Sequence, residues 1–79
     1  MSRINELIET ISEAERVIDK LDKDQKSFET MLEKHIEANN GEEIDLYLTL
    51  LKAIRQEKEE MVLTIFNSKS KIDVLKSFE

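Results

Sequence analysis

Apolar residues recur at three- and four-residue steps on both sides of a single short break, Ala38-Asn39-Asn40-Gly41-Glu42. Before the break, heptad position a holds Ile4, Ile11, Ile18, Gln25 and Leu32, and position d holds Leu7, Ala14, Leu21, Phe28 and His35. After it, a holds Ile44, Leu51, Lys58, Ile65 and Ile72, and d holds Tyr47, Ile54, Met61, Ser68 and Leu75. A 3.5-residue repeat sustained for so long marks helices that pack along a seam. Asn and Gly tolerate the left-handed conformation that ends a helix. Glu42, Glu43 and Asp45 favour the positive end of a new one. Asn40 followed by Glu43 has the spacing of a capping box, and Ser2 can cap the first helix. The expected fold is all-α, one domain over residues 1–79: helix 1 at about 2–38, a turn at 39–41 and helix 2 at about 42–77.

The two stripes can be tested against each other. Folding the chain at Asn39–Asn40 places every a residue opposite a d residue, among them Leu32 with Tyr47, Phe28 with Leu51, Ala14 with Ile65 and Leu7 with Ile72. Loop and stripe therefore demand the same register. That agreement predicts an antiparallel, coiled-coil-like hairpin over a continuous rod of about 115 Å at 1.5 Å per residue.

The composition agrees. One glycine and no proline suit long helices, whereas a sheet would need turn residues at short intervals. There are no cysteines, so no disulfide supports this short chain and no thiolate site binds zinc. Small scaffolds without such staples rely on regular helix packing or on oligomerisation. A net charge of −6 argues against nucleic-acid and anionic-membrane partners, which are recognised chiefly by clustered Lys and Arg. The apolar-rich stretch from Ile44 to Ile54 is far short of the roughly 20 residues that span a bilayer. Arg3 is followed by Asn5, Glu6 and Glu9 rather than by a signal-peptide core, so a cytoplasmic location is expected.

One helix pair uses one seam, and this chain has apolar residues to spare. Ile8, Val17, Met31 and Ile36 widen the stripe of helix 1. Leu48 and Val62 flank that of helix 2, and Leu46, Leu50, Leu63, Phe66, Val74 and Phe78 lie further round it. A helix with a broad apolar surface normally packs against two neighbours. Ile8, Val17, Met31, Leu46, Leu50, Leu63, Phe66, Val74 and Phe78 are accordingly candidate interface residues. The expected assembly is a homodimer forming a four-helix bundle, with another helical protein as the alternative partner.

Two polar residues interrupt the seam, Gln25 and Lys58, and both are candidates for setting register. In the hairpin Lys58 falls near Leu21 and Asp22, where it can lay its stem on the core and hold its amine in water beside the carboxylate. His35 sits at d beside the loop and has no second His or Cys with which to share a metal. Leu32 stands where a Glu-x-x-His metal motif needs its glutamate, so His35 reads as the end of the core. No cofactor, metal site or catalytic set is expected: the carboxylates lie mainly on solvated positions and there is no Gly-rich phosphate loop.

In size and shape the chain is similar to two groups of small helical hairpins. Those exported by type VII secretion systems carry Trp-x-Gly at the turn, where this chain has Asn39-Asn40-Gly41. Their aromatic-x-x-x-acidic signal is also missing, because Tyr47 is followed four on by Leu51 and Phe66 by Ser70. The hairpin phosphatases of sporulation control use Ser-x-x-x-Asp, and Lys69 precedes Asp73 here. The expected function is thus a non-enzymatic interaction or structural module. The alternatives are an acidic inhibitor that blocks a basic groove of a target, or a type VII secretion-like co-secreted or chaperone hairpin.

Overall fold

A computed structural model describes residues 2–78; Met1 and Glu79, the two ends of the expected domain, lie outside the described residues. Two helices, α1 (Arg3–Glu37) and α2 (Gly41–Ser77), pack against each other as an antiparallel hairpin measuring 61 × 14 × 13 Å. There is no strand among the described residues.

The ends of the helices follow from local chemistry. Ser2 adopts an extended backbone and its hydroxyl accepts the Asn5 N–H at 3.2 Å, which satisfies one of the free donors of the first turn. At the other end of α1 the chain turns left-handed at Asn39, with φ 59°. The Asn40 N–H then donates to the His35 carbonyl at 3.0 Å and the Asn39 N–H to the Ile36 carbonyl at 3.1 Å. This pair of bonds is a Schellman motif, with Asn rather than Gly in the left-handed position.

Two local expectations are corrected here. The turn is displaced by one residue, to 38–40, because Gly41 belongs to α2 and has no positive φ. The asparagine before it absorbs the left-handed residue, so the glycine is left free to be helical. Asn40 does stand at the N-cap of α2, but its side chain makes no capping bond. Its amide lies 3.2 Å from His35 Nδ1 instead, so the capping box with Glu43 does not close.

The core is one narrow seam. Every a and d residue is buried or half-buried, and the most enclosed are Ala14, Ser68, Ile54, Leu21 and Ile72. Ala14 and Ser68 are only 3% and 5% exposed because small side chains sink beneath their larger neighbours. No described side chain is sealed off completely. A hairpin alone therefore buries little, and burial of apolar surface is the main favourable term in folding.

Candidate interaction surface

Midway along the seam the two polar intruders meet. Lys58 Nζ donates to Gln25 Oε1 at 2.9 Å and pairs with Asp22 Oδ1 at 2.5 Å, while Gln25 Nε2 donates to Glu29 Oε1 at 2.7 Å. Lys58 and Gln25 thus join in one chain of hydrogen bonds. The Lys58 side chain remains 29% exposed and that of Asp22 47%, so the pair lies at the wet edge of the seam.

Close to the loop, Tyr47 bridges two d residues of α1. Its ring stacks on His35 at a centroid distance of 5.3 Å and meets Phe28 at 5.8 Å with the planes tilted by 55°. Tyr47 was expected opposite Leu32, and it fills the space between the residues on either side of that position. His35 is held by this stack and by Asn40, which makes it the end of the core.

The other ion pair among the described residues is Arg16–Glu13, within α1. The acidic start of α1 (Glu6, Glu9, Glu13, Glu15) and the lysines of α2 (Lys69, Lys71, Lys76) form no direct pairs across the hairpin. The reason is geometric: Glu6 and Glu13 occupy heptad position c and Glu9 position f, away from the seam, and Glu15 at e is level with Val62 rather than with a lysine.

The nine candidate interface residues do not form one surface. Val17, Met31 and Leu50 lie at position g beside the seam and are half-buried. Ile8 lies at e on the opposite edge of α1, and Phe78, the C-cap of α2, is almost fully exposed. Leu46 and Val74 (position c), Leu63 (f) and Phe66 (b) stand on the far side of α2, and Phe66 is 66% exposed. Within the two helices, α1 exposes only Ile8 and Ile36 as large apolar residues. α2 exposes Leu46, Leu48, Val62, Leu63, Phe66 and Val74.

The outer faces of the helices differ still more in charge. On α1, positions c and f read Glu6, Glu9, Glu13, Arg16, Lys20, Lys23, Ser27, Thr30, Lys34 and Glu37, eight of ten charged. On α2 they read Leu46, Thr49, Ala53, Gln56, Glu60, Leu63, Asn67, Ser70, Val74 and Ser77, with Glu60 the single charge. All twenty are exposed. An inventory of apolar residues alone misses this stripe, because six of its ten residues are small or neutral polar. Sorting the charges by heptad position would have found it.

The chain matches no protein-family model, no curated protein and no solved structure. Among the described residues no helix is long and apolar enough to cross a membrane, and no group of three or more His, Cys, Asp or Glu could hold a metal ion.

Proposed function

We propose that the protein is a non-enzymatic interaction module of the cytoplasm, a coiled-coil hairpin in which α1 is the support and the outer face of α2 the docking surface. One observation carries this reading: of two helices of nearly equal length, α1 is charged at eight of its ten c and f positions, whereas α2 carries along the same positions a stripe with one charge, Glu60, flanked by the charged b residues Asp45, Lys52, Glu59 and Asp73. Exposed helix faces are ordinarily polar and charged, and an amphipathic helix needs only one apolar stripe to join a hairpin. A second uncharged stripe at the same spacing is what a further helix would cover. The apolar residues set within it support the same assignment.

An acidic decoy for a basic groove has weaker support. The net charge of −6 is not gathered on one face, and Glu6, Glu9 and Glu13 give way to Arg16, Lys20 and Lys23 along the back of α1.

Photo-crosslinking in the producing cells tests the proposal. A benzophenone side chain at position 63, on the back of α2, should yield adducts, and the same group at position 16, on the back of α1, should not. Equal yields at both positions, or none at either, would refute it.

A further inference from the structure

We infer that the surface is covered by α2 of a second copy of this chain, running antiparallel; this inference rests on the docking role of that face. The uncharged stripe has alternating steps of three and four residues from Leu46 to Ser77, so it is itself a heptad seam, set on the side of α2 opposite α1. When two such seams meet antiparallel, c residues of one helix face f residues of the other, as a and d do within the hairpin. Full overlap gives a stripe about 46 Å long at 1.5 Å per residue. Leu46 then lies against Ser77 of the other copy, Thr49 against Val74, Ala53 against Ser70, Gln56 against Asn67, and Glu60 against Leu63. The two amides can hydrogen-bond to each other, and each Glu60 lies against Leu63 of the other copy, one layer from its counterpart.

The flanking charges select this arrangement from its neighbours. In full overlap Lys52 of each copy lies beside Asp73 of the other. Sliding by one heptad in one direction sets Asp45 beside Asp73 and Glu59 beside Glu59. Sliding in the other direction sets Glu59 beside Asp73. A parallel pairing would bury Glu60 against its own copy, and like charges in contact are disfavoured. The two-fold pairing leaves both α1 helices outermost with their charged backs in water. The resulting four helices lie in the order α1, α2, α2, α1, a row instead of a square.

The absence of cysteine makes the register directly testable. Gln56→Cys and Asn67→Cys are exposed polar positions whose replacement leaves the hairpin seam intact. Under mild oxidation an equimolar mixture of the two variants should form a disulfide-linked dimer. Each variant alone should form at least tenfold less, because its two thiols lie about 16 Å apart along the axis. Efficient coupling of Gln56→Cys with itself would show a parallel pair and overturn the inference. So would a mixture that stays uncoupled, whether the chains are dimeric through another face or monomeric. If that mixture fails while position 63 still crosslinks to a different chain in cells, the docking role stands and the second copy is wrong. If position 63 crosslinks to nothing, both fall.

Discussion

Lys58 forms the ionic link between the helices, and its surroundings decide what that link contributes. Asp22 is nearly half exposed, so water can satisfy its carboxylate when the lysine is gone. A solvated pair of this kind contributes about 0–1 kcal/mol. A leucine at the same a position would gain about 1.5–3 kcal/mol if fully buried. Lys58→Leu should therefore raise stability by about 1 kcal/mol, a rise of roughly 4–8 °C in melting temperature. A fall of that size would mean that the Lys58–Gln25–Asp22 set is required by the fold. Gly41 offers a second residue-scale test. A Cβ there would meet nothing within 4 Å, and its backbone has no positive φ. Gly41→Ala should stabilise the hairpin by about 0.5–1 kcal/mol through the unfolded chain, as read by denaturant midpoint. A loss would show that the turn does use the glycine.

At the scale of the elements, the seam was legible because period and loop position are independent signals that agree. Each a and d residue, from Ile4 to Leu75, is covered as the heptad pattern requires. Local side-chain choices were less legible. The Asn40-to-Glu43 spacing sees only the chain that follows, whereas His35, brought round by the Schellman turn, takes the Asn40 amide. The outer face of α2 was legible only in part: Leu46, Leu63, Phe66 and Val74 were picked out as apolar. Phe66 stands beside the stripe to which Leu46, Leu63 and Val74 belong, and that stripe is defined by a lack of charge, a signal that is easily overlooked where Thr49, Gln56, Asn67 and Ser70 are polar. Close packing within the seam has its own test. Ser68 is 5% exposed in a space shaped for a small side chain, so Ser68→Leu should cost about 1–3 kcal/mol by overpacking. An unchanged thermal midpoint would show that the helices are looser at this end than the burial implies.

For the molecule as a whole, the thin core and the charge-poor stripe of α2 are two sides of one account. A hairpin in which no described side chain is fully enclosed has little stability of its own, and association through α2 would supply what the seam does not. Because this association is driven by contact and not by net charge, it should survive about 0.5 M salt, where screening acts over a few Å. The most direct test is the molar mass in solution, by light scattering at micromolar concentration and in high salt. The account predicts about twice the 9.3 kDa chain, falling to a single chain in Leu63→Glu, which sets a second carboxylate against Glu60 of the other copy. A wild-type chain that is monomeric and fully folded under the same conditions would contradict it.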